Sequence, residues 1–160
     1  MTGLTRRALL PAAFALAIGT GAAIAQDQKP IELKLAYYVG DQHAMSQWLI
    51  KWADKLEKDS GGRLVFKRFP GAQMGPVPQH YDFARTGQAD ISWVLHGATP
   101  GRFPLTGIVQ VPYLVGSAEI GTQVLNDPEL RSKYLDAEHK GVKLLLLFTH
   151  QPGQIHTTKK

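Results

Sequence analysis

The stretch SGGRLVFKRFPGAQMG (residues 60–75) restricts the possible folds more than any other part of this sequence. Its two adjacent glycines can adopt the left-handed backbone conformation that ends a helix, and the proline and glycines at its end favour a turn. Between these limits, residues 63–69 alternate between two faces, with Leu64 and Phe66 on one of them. The sequence therefore predicts the end of a helix, one short strand and a turn.

Three further apolar runs are typical of strands: residues 31–39, 89–95 and 142–149. The last of them is continuously apolar, as strands at the centre of a parallel sheet often are. Helical patterns separate the runs, so helical crossovers would join successive strands. We therefore predict an α/β fold with a mostly parallel sheet flanked by helices on both faces.

The helical patterns also indicate where individual helices begin and what they bury. The first helix has an apolar stripe that includes Trp48 and Trp52, and we predict core positions for both rings. Asp41 is the candidate N-cap of this helix. A second, short helix follows the turn, and two more are expected after Ser117 and Asp127, which are also N-cap residues.

Residues 1–25 have the pattern of an export signal. Arg6 and Arg7 precede an apolar segment that ends in a small-x-small cleavage site. An N-terminal membrane anchor is the alternative, and the choice between the Sec and twin-arginine export routes stays open. No second apolar run of spanning length follows, so we expect residues 26–160 to be one exported domain that does not span a membrane after cleavage.

Composition excludes several classes of protein. Without the two arginines of the export signal, the chain has 16 basic and 13 acidic residues. Positive and negative side chains alternate along it, which is typical of a solvated surface and argues against a nucleic-acid partner. Cysteine is absent, which excludes disulfides and thiol nucleophiles. Neither a phosphate-binding glycine motif nor a serine nucleophile elbow follows a strand. We therefore predict no cofactor, no metal site and no catalytic residue.

The carboxyl ends of parallel strands meet at one edge of a sheet, and open α/β proteins bind their ligands there. The segments that would gather at this edge, which we call the rim, are residues 38–43, 70–75, 95–103 and 149–154. They offer aromatic rings, amides and an arginine, a set that suits a small polar or anionic ligand. The candidate ligand-binding residues on or beside the rim are Tyr38, His43, Gln73, Trp93, His96 and Arg102.

Each candidate has an expected role. Tyr38 or Trp93 would stack on the ligand, and His43 and Gln73 would donate hydrogen bonds to it. Arg102 would neutralise a carboxylate, the alternative being a surface salt bridge to an acidic residue of a loop. The rim histidines could also act as bases or metal ligands, or simply bond to backbone and water.

Three motifs, in this order, resemble those of the DctP-type solute-binding proteins of TRAP transporters: SGGRLVFKRFPGAQMG, ARTGQADI and VPYL. Met74 stands where leucine is commoner in that family, a change that conserves volume. The resemblance extends over essentially the whole mature chain. It implies a periplasmic-binding-protein-like lobe, one of two that close over a small organic acid, often a carboxylate, in the periplasm. It also implies that the acid passes to TRAP membrane permease subunits driven by an ion gradient, without catalysis.

The resemblance also carries an expectation about length, because members of the family are usually longer than this chain. We expect residues 26–160 to be the N-terminal lobe of a truncated protein whose second lobe is missing. The family's main carboxylate-binding arginine would then lie beyond Lys160. Two alternatives stay open at this point: the binding protein of an ABC-type importer, driven by ATP, and an exported α/β enzyme with a rim histidine as base.

Overall fold

The computed structural model of the chain describes residues 29–151 and 157–158. The predicted export signal and the second half of the last rim segment, residues 152–154, lie outside these residues. Within them, three strands form one parallel sheet in the order β2-β1-β3. The strands are β1 (Ile31–Ala36), β2 (Leu64–Phe69) and β3 (Ile91–Ser92). The predicted α/β class and the parallel sheet are confirmed, although β3 has only two residues.

Five short or medium helices accompany the sheet in the described part of the chain. They are α1 (Ala44–Asp59), α2 (His80–Arg85), α3 (Ala118–Leu125), α4 (Pro128–Leu130) and α5 (Asp136–Glu138). Single turns of 3₁₀ helix occupy Val77–Gln79, His96–Ala98 and Thr106–Gln110, and a π-helical turn, Arg131–Leu135, joins α4 to α5. The predicted N-caps of α3 and α4 are confirmed, because Ser117 accepts from the Ile120 amide and Asp127 from the two amides that follow Pro128.

The central strand β1 contributes to two separate cores because its successive side chains point to opposite faces of the sheet. On one face, the fully buried Leu35 and Tyr37 pack with Phe66 of β2 and with the apolar side of α1. On the other, Ala36 packs with Phe83 of α2. Helices therefore cover both faces of the sheet, as the alternation of strands and helices predicted.

The cap of α1 differs from the prediction. His43, and not Asp41, is the N-cap, and its Nδ1 accepts a hydrogen bond from the amide of Met45 over 3.2 Å. The carboxylate of Asp41 accepts instead from the buried Tyr37 hydroxyl at 2.6 Å. A buried hydroxyl without a hydrogen-bond partner lowers the stability of the fold. The hydrogen bond from Tyr37 therefore explains why Asp41 does not cap the helix.

The predicted strand over residues 142–149 is wrong for this structure. The segment has no strand partner among the described residues and runs antiparallel along α3. Hydrogen bonds from side chains at this helix take the place of those that a neighbouring strand would form. Asn126 donates to the Leu147 carbonyl and accepts from its amide, and Thr122 accepts from the Thr149 amide. An apolar run of this kind needs a neighbouring strand to become one, and here a helix takes that place.

The replacement of Asn126 by alanine should therefore destabilise the protein by about 2 kcal/mol, because it removes two hydrogen bonds to Leu147 and leaves polar backbone groups with poorer partners. The free energy of unfolding in urea measures the effect. Gln123→Ala, at an exposed position of the same helix, is the matched control and should change stability by less than about 0.5 kcal/mol. Equal effects of the two substitutions would contradict this anchoring role.

Candidate ligand-binding site

Aromatic rings gather at the carboxyl edge of the sheet. Tyr38 follows β1 and Trp93 follows β3, and their ring centroids lie 4.8 Å apart. The Trp93 ring also lies 6.3 Å from His43 and 5.8 Å from Phe148. We call these four side chains the Trp93 cluster. The structure thus brings together three of the six predicted site residues.

Main-chain hydrogen bonds fix the backbone on which the cluster is built. The amide of Trp93 donates to the Ala36 carbonyl at 2.8 Å, which continues the pairing of β1 and β3 past the strand end. On the other side of β1, Gly71 donates to Val39 at 2.9 Å. Gly71 has a φ of 59°, in the left-handed region that favours glycine. The PGAQMG turn is therefore fixed against the loop after β1.

The predicted site residue Gln73 lies on this turn. Its amide donates to the Pro70 carbonyl at 3.1 Å, and its side chain is exposed. Among the described residues, no hydrogen bond of the Gln73 side chain is formed. The structure therefore places Gln73 at the correct edge of the sheet but outside the Trp93 cluster.

An open hollow of about 330 Å³ adjoins the Trp93 cluster. Its lining residues are Met45, Trp48, Leu146, Phe148 and Thr149. The prediction that both tryptophans of α1 belong to the core is therefore only half right: Trp52 packs edge-on against Phe66, whereas Trp48 is 49 % exposed. The helical stripe identifies the apolar face of α1, but it does not show that only part of this face is covered by the sheet.

His43 has a defined proton position in its neutral form. Its Nδ1 accepts from the Met45 amide and so bears a lone pair, which places the ring proton on Nε2. The side chain is exposed. His43 is therefore both the cap of α1 and a hydrogen-bond donor available through Nε2.

A buried histidine packs against the cluster. His80 is completely buried and lies edge-on to Tyr38, with ring centroids 6.0 Å apart. Burial lowers the pKa of His80, so its ring is neutral at neutral pH. Burial also raises the pKa of Tyr38, which keeps its hydroxyl protonated. Neither His80 nor Phe148 was predicted, since one lies in a helix and the other in the run interpreted as a central strand.

Arg102 lies in a different environment. Both of its terminal nitrogens donate to the carboxylate of Asp82, at 2.9 and 2.8 Å, and the guanidinium lies 4.3 Å from the centre of the Tyr81 ring. Asp82 also accepts from Arg85. The hydrogen bonds from Arg102, then those from Arg85, hold the pKa of Asp82 well below its usual range. The structure therefore shows a salt bridge for Arg102, as in the alternative, but its acidic partner lies on helix α2 and not on a loop.

His96 belongs to the same environment as Arg102. Its ring packs against Phe103 with centroids 4.5 Å apart, and its Nε2 lies 2.7 Å from Nε2 of His139. Beside it lies a second open hollow, of about 430 Å³, lined in part by His96, Phe103 and Gln110. The structure therefore separates His96 and Arg102 from the Trp93 cluster.

In residues 29–151 and 157–158, no three histidine, aspartate or glutamate side chains lie close enough together to hold a metal ion. No helix in these ranges is both long and apolar enough to cross a membrane.

Comparison with known proteins identifies the family. The pattern of the bacterial extracellular solute-binding protein family 7, DctP, matches residues 35–160. A curated relative, the uncharacterized protein YiiZ of Salmonella typhimurium, is 26 % identical over 98 residues, which are 61 % of this chain and 30 % of that protein.

Solved structures of TRAP solute-binding proteins are also similar. One from Rhodoferax ferrireducens, with copurified benzoate, is 34 % identical with a TM-score of 0.69, over 76 % of this chain and 38 % of that one. One from a marine metagenome, specific for aromatic acids and holding 3-hydroxybenzoate, is 32 % identical with a TM-score of 0.71, over 82 % and 41 %. One from Bordetella bronchiseptica, with bound mandelate, is 31 % identical with a TM-score of 0.64, over 77 % and 39 %.

These matches confirm the resemblance noted in the sequence, and they also show that the chain spans less than half the length of the relatives. The matched family consists of transport binding proteins, and its TRAP members are periplasmic. The chain belongs to the bacterial extracellular solute-binding protein family 7, the DctP family.

Proposed function

We propose that this chain is the ligand-capturing N-terminal lobe, over residues 26–160, of a periplasmic solute-binding protein that delivers a small organic acid to TRAP membrane permease subunits. The observation that carries the proposal is the convergence of Tyr38, His43 and Trp93 at the carboxyl edge of a parallel sheet, the place where open α/β folds bind ligands. The family membership and the lengths of the solved relatives support it.

The chemistry of the Trp93 cluster fits an aromatic carboxylate. Trp93, Tyr38 and Phe148 provide ring faces and edges for stacking, and Nε2 of His43 provides a donor for a carboxylate oxygen. Gln73 would add an amide donor from the adjacent turn. The three solved relatives above hold benzoate, 3-hydroxybenzoate and mandelate, which are all aromatic acids. We propose the same class of ligand for this chain.

Arg102 and His96 would form a second part of the site. The two hydrogen bonds to Asp82 already neutralise the Arg102 guanidinium, so a ligand carboxylate would have to compete with an internal one. The first effect of Arg102 is then to hold its loop against α2. Its direct contribution to the charge of the site is smaller than that of a free arginine.

Binding would be non-covalent throughout. Aromatic contacts and hydrogen bonds hold the acid, and closure by a further lobe would remove it from water before transfer to the permease. None of these steps makes or breaks a covalent bond, so we propose a binding protein and not an enzyme.

A thermal-shift experiment on the 160-residue chain tests the ligand class. Benzoate, 3-hydroxybenzoate and mandelate should raise the unfolding temperature, because a ligand at ten times its Kd stabilises the folded state by about 1.4 kcal/mol. Millimolar concentrations are needed, since one lobe buries only one side of the ligand.

Two compounds serve as matched controls. Cyclohexanecarboxylate keeps the charge without the aromatic ring, and benzamide keeps the ring without the charge, so each should stabilise less than benzoate. Equal stabilisation by galactonate and benzoate would disprove the aromatic class. No response to any carboxylate, up to the solubility limit, would contradict ligand capture by this lobe.

A further inference from the structure

The contact between His96 and His139 is the closest approach of two titratable rings in the described part of the chain. Their Nε2 atoms lie 2.7 Å apart, a hydrogen-bonding distance. His139 is only 2 % exposed, and the Phe103 ring is stacked on it with centroids 5.0 Å apart. The pair joins the rim loop, which we define as residues 96–110, to the helical segment of residues 128–139.

The surrounding hydrogen bonds fix the proton of each ring. Nδ1 of His139 lies 2.7 Å from the carbonyl oxygen of Leu135, which can only accept. Neutral His139 therefore carries its proton on Nδ1 and a lone pair on Nε2. The bond between the rings then requires His96 to donate from Nε2. Nδ1 of His96 has no partner within the described residues and is not fully buried, so protons from solvent reach the pair there.

Few groups near the pair favour positive charge. The nearest carboxylate, Glu138, already accepts from the Thr106 hydroxyl and from two backbone amides. Arg102, paired with Asp82, lies 5.6 Å from the centre of the Phe103 ring, which packs against both histidines. Tyr81 lies 6.3 Å from His139 and donates its hydroxyl proton to a backbone carbonyl.

These surroundings disfavour the charged form of His96. Burial, and after it the neighbouring His139, lower the pKa of His96 to about 4, although Glu138 acts in the opposite direction. The charged form of the ring is thus disfavoured while the rim loop is in place.

We propose that the hydrogen bond between His96 and His139 is an acid-sensitive latch. It holds the rim loop on the helical segment while at most one of the two rings is positively charged, and it opens when both rings are charged. When both rings are charged, all four ring nitrogens carry a proton and neither Nε2 has a lone pair, so the 2.7 Å contact is lost. The latch does not depend on which ligand the protein binds.

The direction of the pH effect follows from proton uptake. In the open state His96 would titrate near the ordinary histidine pKa of about 6.5, whereas in the closed state burial and the neighbouring ring lower its pKa to about 4. The open state therefore gains on the closed state as pH falls below about 6.5. For one excluded proton, the ratio of open to closed loop rises by up to roughly 100-fold between pH 7.5 and pH 4.5.

The first test uses the unmodified 160-residue chain. Nitrogen-15 correlation spectra of the imidazole rings at pH 7.5 should show the proton of His139 on Nδ1 and that of His96 on Nε2. The opposite tautomer of either ring would overturn the proposal. So would protection of the rim loop by one equivalent of Zn²⁺ at this pH, because the pair would then be a metal site.

The second test compares hydrogen exchange of the rim loop amides at pH 7.5 and pH 4.5, after correction for intrinsic rates. In the unmodified chain, and in the exposed control His150→Gln, acid should open the rim loop much more than α1. In His96→Gln the side-chain amide can still donate to His139 without titrating, so the acid response should shrink at least tenfold. His96→Phe, which cannot donate, should open the loop at both pH values.

Two results of this comparison would overturn the latch. One is an acid response of the rim loop that only follows that of α1. The other is an acid response in His96→Gln equal to that of the unmodified chain. Either result can be obtained whether or not the chain binds an organic acid, so a failure of the latch is distinguishable from a failure of the proposed function.

Discussion

Replacing Leu35 by alanine is expected to lower the free energy of unfolding by about 4 kcal/mol, which raises the unfolding equilibrium constant roughly 1,000-fold. Leu35 is completely buried in the middle strand of the sheet and packs in one core with Tyr37, Ala53 and Phe66. Removing its methyl groups leaves a cavity between the sheet and α1, and two strands and a helix would have to move to fill it.

Urea unfolding followed by circular dichroism measures this effect. Ile31→Ala is the matched control, because Ile31 lies on the same strand but is 60 % exposed, and it should cost less than about 1 kcal/mol. Similar losses for the two variants would show that the face of β1 towards α1 is not the main core. The strand also supports the candidate site, since Tyr37 and Tyr38 follow it directly.

Replacing Trp93 by alanine should weaken the binding of benzoate by roughly 30- to 150-fold, because the loss of a central aromatic side chain costs about 2 to 3 kcal/mol in binding sites. Trp93 is the ring that contacts all other members of its cluster: Tyr38, His43 and Phe148. Isothermal titration of the 160-residue chain with benzoate measures the change in affinity.

Trp93→Phe is the matched variant, since it keeps an aromatic ring in the same position and should recover more than half of the lost binding free energy. The unfolding curve of each variant separates a loss of contacts from a loss of fold. Unchanged affinity in a folded Trp93→Ala protein would exclude the Trp93 cluster as the binding site.

Local chemistry explains which parts of the fold could be predicted. The strand that becomes β2 lies between residues that end a helix and residues that form a turn, and Ser117 and Asp127 cap helices that follow them immediately. The failures depend on distant partners. Asp41 does not cap α1 because it accepts a hydrogen bond from the buried Tyr37 hydroxyl. Residues 142–149 form no strand because their neighbour is α3.

The candidate site also has one part that the sequence predicted and one part that depends on distant partners. Tyr38 and Trp93 lie within two residues of the ends of β1 and β3, so the topology of the sheet places them together, and the sequence was sufficient to predict this. His96 and Arg102 lie in a long loop whose path is set by partners on other elements, Asp82 on α2 and His139 after α5. Sequence spacing carries no signal for such partners, which become visible only when the chain is folded.

The irregular segment along α3 has two unlike sides. Backbone groups of Leu147 and Thr149 turn towards the helix and are held by Asn126 and Thr122. Those of Leu146 and Phe148, which alternate with them along the chain, have no partner among the described residues. Helix α3 thus forms hydrogen bonds with the backbone groups on one side of this segment, and the alternate backbone donors and acceptors have no partner among the described residues. A second extended segment placed beside Leu146 and Phe148 would form strand hydrogen bonds with these groups and leave the bonds to Asn126 and Thr122 intact.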